Sequence, residues 1–177
     1  MTIQAAFLIT CVILLITTLI IAYDHIVVAR VPFIRLKIST IQEILSQVQI
    51  KPKDIVYDLG CGDGRVLIQA VKIQPKATYI GIEKAILPYF LACFYTRKHT
   101  QITIHRVDIL KYDYSDAEMV FIYLLPDLIK KLQPQLRKLI KNSKTVIAVE
   151  FAPAEVRPKE IHTLKQPSKF GHTWFLY

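Results

Sequence analysis

A glycine-rich turn is the feature that most constrains how this chain folds. Residues 58–65 read Asp-Leu-Gly-Cys-Gly-Asp-Gly-Arg, directly after the apolar run 55–57 and directly before a predicted helix at 65–73. A buried strand that leads through a tight turn into a helix is the first half of a strand–helix–strand unit. In open sheets built from such units, ligands bind at the carboxyl ends of the strands, which predicts a cofactor at this turn.

Apolar runs with strand character alternate with helical patterns along the rest of the chain. We predict helices from about Ser39 and at 65–73, 86–97 and 126–141, and strands at 55–57, 78–82, 102–107, 118–124, 145–149, 161–164 and 173–177. Such alternation implies parallel strands with crossover helices, and the last two strands, which have no helix between them, should form a hairpin. The predicted fold is therefore α/β, with a doubly wound, mostly parallel seven-stranded Rossmann-like sheet and an antiparallel C-terminal strand.

The N-terminus is a separate apolar block. Residues 2–23 contain no charged residue, and a helix of this length spans about 33 Å, close to the hydrocarbon core of a bilayer. A cleaved signal peptide would have a basic start and a small-residue cleavage site, and a core helix would be shorter and amphipathic. We predict a transmembrane anchor at 1–23, a linker and preceding helix at 24–50, and one α/β domain at 51–177.

The positive charge of the chain follows this block. Arg30, Arg35 and Lys37 come after it and no Lys or Arg precedes it, so the positive-inside rule predicts a single-pass protein whose larger domain is cytoplasmic or in an equivalent compartment. Attraction to anionic lipids explains the formal net charge of +9 most simply. Nucleic-acid binding is less favoured, because no basic run is interleaved with aromatic residues. The three cysteines have no metal-ligand spacing, so we predict no metal site.

The composition of the glycine-rich turn indicates which cofactor it binds. Gly60, Gly62 and Gly64 allow the backbone to approach a ligand closely, and their spacing differs from the G-x-G-x-x-G of dinucleotide sites. Asp58 and Asp63 would repel a pyrophosphate and attract a cationic sulfonium and ammonium. S-adenosylmethionine carries both cations and is the predicted cofactor, and a tight loop without a ligand is the alternative.

Two acidic residues at the ends of later strands extend the predicted site. Glu83 ends the second strand, and its two oxygens suit a ribose diol. Asp108 follows the third strand, where it would accept from the adenine amino group while Ile109 packs on the ring. The alternatives are a surface Glu at a strand end and a turn cap at Asp108. The predicted cofactor-binding residues are Asp58, Gly60, Cys61, Gly62, Asp63, Gly64, Glu83, Asp108 and Ile109.

These residues resemble a known family. Residues 58–65 are similar to the first motif of class I S-adenosylmethionine-dependent methyltransferases, and residues 81–83 to their second motif. A narrower resemblance rests on the apolar N-terminus, Val31-Pro32-Phe33, residues 113–117 and residues 123–126. It is to the small membrane-anchored lysine methyltransferases related to the mitochondrial enzymes that modify the adenine nucleotide translocase and the ATP synthase c-subunit. It implies a methyltransferase domain at 51–177 and a lysine of a membrane protein as acceptor.

The chain departs from the family pattern in three places. Residues 34–36 replace Val-Pro-Thr, Lys84-Ala85 replaces Asn-Pro or Asp-Pro, and residues 151–156 replace Phe-Pro-x-Pro-Gly-Trp. The first and third departures lie in regions that shape the substrate entrance. They therefore bear on the identity of the substrate rather than on cofactor binding.

The loop at residues 123–126 lies where the transferred methyl group should project. The resemblance implies an in-line displacement without a metal, in which the enzyme mainly positions the reactants. We predict that Tyr123 and Pro126 position the substrate, and the alternative for Tyr123 is a strand residue without such a role. Other acceptors and roles stay open: a lipophilic small molecule or lipid headgroup, a non-catalytic cofactor-binding membrane module and, more weakly, a nucleic acid.

Overall fold

The computed structural model describes residues 2–23 and 33–177. Its strands are β1 (Ile55–Leu59), β2 (Thr78–Glu83), β3 (Ile102–Arg106), β4 (Met119–Ile122), β5 (Thr145–Val149), β6 (Glu160–Thr163) and β7 (Thr173–Leu176). Its helices are α1 (Ile3–Tyr23), α2 (Ile38–Leu45), α3 (Arg65–Ile73), α4 (Ile86–Thr96) and α5 (Pro126–Lys141). Each predicted helix and strand of the α/β domain is present within a few residues of its predicted bounds.

The strands form one sheet in the order β3-β2-β1-β4-β5-β7-β6. β7 runs antiparallel to β5 and β6, and the pairs from β3 through β5 are parallel. This confirms the predicted doubly wound sheet with its antiparallel C-terminal strand. The chain order reverses at β1, which has β2 on one side and β4 on the other, so these strands open onto the crevice where such sheets bind ligands.

Packed side chains cover both faces of the sheet. One core cluster joins α2 and α3 to the sheet through residues such as Ile41, Leu67 and Trp174. A second cluster joins α5 to the other face through Leu132 and Leu136. The central strand β4 is buried on both faces, as its nearly continuous apolar sequence requires.

Strand β4 is shorter than predicted. It ends at Ile122, where its pairing with β5 ends opposite Ala148. Tyr123 and Leu124 therefore belong to the loop that leads into α5. This position frees both side chains from the sheet and lets them line the ligand crevice.

Helix α1 has the properties of a membrane span. Its side chains are almost all exposed, and the hydroxyls of Thr10, Thr17 and Thr18 donate to carbonyls one turn earlier, which satisfies them within the helix. Among the described helices it alone is long and apolar enough to cross a membrane, by length and composition. Residues 24–32, which include the predicted linker, Arg30 and the Val31-Pro32 dipeptide, lie outside the described residues.

Candidate active site

The turn between β1 and α3 adopts a conformation that requires its glycines. Gly60, Gly62 and Gly64 have φ angles of 79°, 59° and 78°, in the left-handed region that residues with a Cβ rarely adopt. A Cβ at Gly62 would lie 2.5 Å from the ring of Phe33, and one at Gly60 would lie 2.7 Å from the side chain of Leu124. The turn therefore presents backbone to the crevice and leaves little room for side chains.

A cavity of about 650 Å³ lies beside this turn, and residues that end or follow β1, β2, β3 and β4 line it. Its volume is in the range of small-molecule and cofactor sites. All predicted cofactor-binding residues except Gly64 line it, and so does Tyr123. Pro126 begins α5 and is not among the lining residues, although Leu125 and Asp127 are. The fold thus brings together residues from four separate parts of the sequence.

Asp58 is a buried carboxyl group at the end of β1. It is 3% exposed, and its Oδ2 has no hydrogen-bond partner among the described residues. Burial raises its pKa to about 8, and the neighbouring carboxylates of Glu83 and Asp63 contribute to the same shift. A cationic ligand beside Asp58 would stabilise its ionised form. The unpartnered oxygen therefore fits a cofactor that carries positive charge.

Glu83 organises the glycine-rich turn from the neighbouring strand. Its Oε2 accepts a hydrogen bond from the backbone N–H of Gly62 at 3.0 Å. Its Oε1 accepts from the backbone N–H groups of Lys84 and Ala85, both at 2.8 Å. The carboxylate thus ties the end of β2 to the turn after β1. Its contact with a ribose stays a prediction.

Asp63 differs from Asp58 because its charge is paired. Arg65 donates to both of its oxygens, at 2.8 and 2.6 Å, and the Nε of Arg35 lies 3.2 Å from Oδ2. Burial opposes ionisation of Asp63, but the hydrogen bonds and charge of Arg65, with Arg35, hold its pKa below the usual value. Arg65 also donates to the carbonyl of Leu36 at 2.8 Å. The observed contacts of Asp63 and Arg65 hold residues 35–36 against the turn. The attraction of Asp63 for a cofactor stays a prediction.

An Asp63→Asn variant is expected to lower the free energy of unfolding by about 2 kcal/mol, because it weakens the charge-assisted hydrogen bonds that Arg65 donates to this carboxylate. The stabilisation by Asp63 is present above the ordinary pKa of Asp and is lost as the pH falls through its lowered value. Urea unfolding at pH 7 measures the loss. Glu118→Gln, which removes a surface ion pair with Lys144, is the control and should change stability by less than about 1 kcal/mol. Equal effects of the two substitutions would contradict this account.

Asp108 and Lys84 form an ion pair in the wall of the cavity. The Nζ of Lys84 lies 3.0 Å from Oδ2 of Asp108, and Oδ1 accepts from the backbone N–H of Leu110. Burial opposes ionisation of Asp108, but these groups hold its pKa below the usual value. The backbone contact is the turn cap considered from the sequence, and the adenine contact of Asp108 stays a prediction. Lys84, a departure from the family pattern, lies in this wall as the ion-pair partner of Asp108.

The end of the cavity at Tyr123 is aromatic. The Tyr123 hydroxyl lies 3.3 Å from the Oγ of Ser168. The ring of Phe170 lies 6.2 Å from that of Tyr123 and 5.5 Å from that of Phe151, between centroids. Ser168 and Phe170 come from the turn of the β6–β7 hairpin. The sequence does not predict their role, because a turn carries no period that indicates which side chains reach a site 45 residues away.

Comparison with known proteins finds similar proteins over more than half of this chain. The model of the family "ANTKMT methyltransferase domain" matches residues 58–160, more than half of the chain. A protein-lysine N-methyltransferase of Saccharolobus islandicus is 31% identical over 153 residues, 85% of this chain and 94% of that protein. A carboxy-S-adenosyl-L-methionine synthase of Sulfurimonas denitrificans is 30% identical over 131 residues, 66% of this chain and 54% of that protein.

Solved structures share the same sheet. An RNA methyltransferase from Salinibacter ruber, in complex with S-adenosyl-L-homocysteine, superposes with a TM-score of 0.71 at 24% identity, over 81% of this chain and 92% of that one. A SAM-dependent methyltransferase from Geobacter sulfurreducens, in complex with the same ligand, has a TM-score of 0.56 at 14% identity, over 66% of this chain and 49% of that one. At these identities the likeness concerns the fold.

Proposed function

Because this chain belongs to the ANTKMT methyltransferase family, we propose that it is a protein-lysine N-methyltransferase that acts at a membrane. It is a class I methyltransferase, and S-adenosylmethionine is its cofactor. The lysine acceptor is supported by the relative of 31% identity, which is a protein-lysine N-methyltransferase and is covered over 94% of its length. Action at a membrane is supported by α1.

The main structural support for methyl transfer is the cavity wall that the glycine-rich turn forms beside Asp58. This wall combines exposed backbone with a buried, unpartnered carboxyl oxygen. Asp58 would supply negative charge to the cationic part of the cofactor, and Glu83 would hold the turn in place. The bound cofactor supplies an electrophilic methyl group. The contribution of the chain is then to position the acceptor nitrogen in line with it.

Tyr123 is the side chain best placed to position an acceptor amine. Burial raises its pKa, so it is a neutral hydroxyl at pH 7 and accepts or donates a hydrogen bond rather than acting as a base. The rings of Tyr123 and Phe170 would pack against the methylene groups of a lysine. The amine must lose its proton before it attacks, and exclusion of water from an apolar pocket favours the neutral amine.

The membrane part of the proposal rests on α1 and the charges after it. An apolar helix of 21 residues matches the thickness of a bilayer. Arg35 and Lys37 follow it, which favours the methyltransferase domain on the cytoplasmic or an equivalent side. An acceptor lysine would then lie on a membrane protein close to that surface.

Transfer of labelled methyl groups to native membranes tests the proposal. The full chain is incubated with S-[methyl-³H]adenosylmethionine and membranes, and we expect label in protein that is recovered as methyllysine after hydrolysis. Asp58→Ala and Gly60→Arg should abolish transfer, because one removes the buried carboxyl and the other places a cation and a side chain in the cofactor wall. Glu118→Gln, on the surface, should transfer as well as the native chain.

The distribution of label decides between acceptors. Label that partitions into the organic extract would identify a lipid or lipophilic molecule as the acceptor instead of a lysine. Label released by nuclease would identify a nucleic acid as the acceptor. Micromolar cofactor binding without transfer to any fraction would contradict an active enzyme. Full transfer by both site variants would contradict the proposed site.

A further inference from the structure

Helix α4 has one face in the protein and one face in solvent. Pro88, Ala92 and Thr96 recur every four residues and are buried, and Ala92 and Thr96 pack beside Gly64 of the glycine-rich turn. The opposite side carries Leu87, Phe90 and Phe94, whose spacing of three and four residues places them together. Phe90 is 62% and Phe94 57% exposed. We call these three residues the aromatic face, and an exposed apolar surface of this kind marks an interaction site.

Basic residues follow the helix that carries the aromatic face. Helix α4 itself contains no charged residue, and Arg97, Lys98 and His99 follow it directly. The guanidinium of Arg97 lies 4.0 Å from the centroid of the Phe94 ring and donates to the Phe94 carbonyl. Aromatic rings beside Lys and Arg are typical of protein segments at the lipid headgroup level. The same cations would attract anionic lipids, as the net charge of +9 does.

The chain connection limits how far this side of the domain can lie from α1. Helix α1 ends at Tyr23, and the next residue that the structure describes is Phe33, whose ring contacts Gly62 of the glycine-rich turn. Ten residues of chain reach at most about 36 Å. The backbone of Phe33 therefore stays within that distance of the end of α1, and the turn that its ring contacts also packs against α4. If α1 spans a bilayer, the aromatic face is within reach of its surface.

We propose that the aromatic face of α4 docks on the surface of the bilayer that holds α1. Leu87, Phe90 and Phe94 would insert among the headgroups, and Arg97 and Lys98 would bind anionic lipids. The inference rests on the membrane part of the proposed function. Because Ala85 and Pro88 line the cavity, docking would hold the active site at a fixed height and select acceptors close to the membrane.

Quenching by brominated lipids tests the docking. The full chain carrying Phe90→Trp is reconstituted in vesicles of phosphatidylcholine with anionic phosphatidylglycerol, with and without bromine on the acyl chains near the headgroups. Flotation of the vesicles in alkaline carbonate, which removes peripherally bound proteins, first establishes that α1 is inserted. The native Trp174 is fully buried and stacked on His162, so it contributes a constant background. Ile161→Trp is the matched control, because Ile161 is also an exposed apolar residue and lies on β6, at the other edge of the sheet from β3 and α4.

We expect bromine to reduce the fluorescence of the indole at position 90 by at least about twofold and to leave that at position 161 unchanged. Adding Phe94→Ser to the Phe90→Trp chain should weaken the quenching. A chain that floats but shows equal quenching at both positions, or none at position 90, would overturn the docking and leave the anchor intact. A blue-shifted but unquenched indole at position 90 would overturn it in favour of contact with a second copy of the chain. A chain that does not float would overturn the membrane part of the proposed function as well, while methyl transfer is measured separately.

Discussion

An Asp58→Asn variant is expected to be more stable than the native chain at pH 8 and to bind S-adenosylmethionine at least about a hundredfold more weakly. Both effects have one cause. Burial, with Glu83 and Asp63 nearby, raises the pKa of Asp58 to about 8, so the folded protein resists ionisation of this group. The unfolded chain does not resist it, because there Asp58 has its ordinary pKa near 3.8.

The sign of the stability effect follows from proton binding. Between about pH 4 and pH 8 the unfolded chain loses the Asp58 proton while the folded chain keeps it, so stability falls as the pH rises through this range. A pKa difference of this size corresponds to several kcal/mol, of the order of 1.4 kcal/mol per pH unit. Asn does not titrate, so the variant does not lose this stability. The two chains should therefore have similar stability at pH 4, and the advantage of the variant should grow up to pH 8.

Thermal unfolding at several pH values, with and without ligand, measures both effects. S-adenosylmethionine should raise the melting temperature of the native chain far more than that of the variant, because it binds only the folded state. The native affinity should increase with pH up to about 8, since binding a cation releases the Asp58 proton. The variant controls for the titration of the ligand's own amino group. Equal stability of the two chains at pH 8, or unchanged affinity, would show that Asp58 does not provide a buried charge for the cofactor.

The fold could be predicted from the sequence because its signals are local and periodic. The run 55–57, the glycines at 60, 62 and 64 and the helix from Arg65 are contiguous, and each fixes its own stretch of backbone. The hairpin of β6 and β7 followed from the missing crossover helix between them. Strand β4 was predicted too long, since apolar side chains continue to Leu125 although pairing with β5 ends at Ala148.

The chemistry of the site was predictable only in part, because it depends on side chains that meet in space. Asp58 and Asp63 have the same charge and similar distances from the glycines in sequence. In the fold, Asp63 meets Arg65 and Arg35, and the Oδ2 of Asp58 meets no partner among the described residues. The contribution of Ser168 and Phe170 was not predictable, because a hairpin turn reaches Tyr123 only after the sheet has formed.

The exposed face of α4 is another feature that could not be predicted from the sequence. The sequence predicts a helix at 86–97, but its apolar residues surround the axis, so periodicity does not distinguish a buried helix from one with an apolar exposed face. The fold decides, because α4 packs through Pro88, Ala92 and Thr96 and leaves Phe90 and Phe94 in solvent. The exposed aromatic face of α4 therefore follows only from the structure, whereas the apolar helix α1 was predictable from length and composition alone.

A Glu83→Gln variant is expected to lose cofactor binding by about two to three orders of magnitude, although Gln has nearly the same shape as Glu. Both oxygens of Glu83 accept hydrogen bonds from backbone N–H groups: Oε2 from Gly62, and Oε1 from Lys84 and Ala85. An amide has one oxygen, so its NH₂ group must face a backbone donor on one side. That side loses its hydrogen bond and gains a repulsion between two donors.

In either orientation the amide loses a hydrogen bond that holds part of the site in place. If the NH₂ group faces Gly62, the glycine-rich turn loses its tie to β2, and if it faces Lys84 and Ala85, the start of α4 is released. Hydrogen bonds to a charged group contribute about 1.5–3 kcal/mol each, so the loss of one or two accounts for the expected change in affinity. Isothermal titration with S-adenosylhomocysteine measures it and removes the sulfonium charge, so that the result depends less on the electrostatics of Asp58 than a titration with S-adenosylmethionine would. Glu118→Gln makes the same change from carboxylate to amide on the surface and is the control. Native-like affinity of Glu83→Gln would show that Glu83 does not hold the turn in its binding conformation.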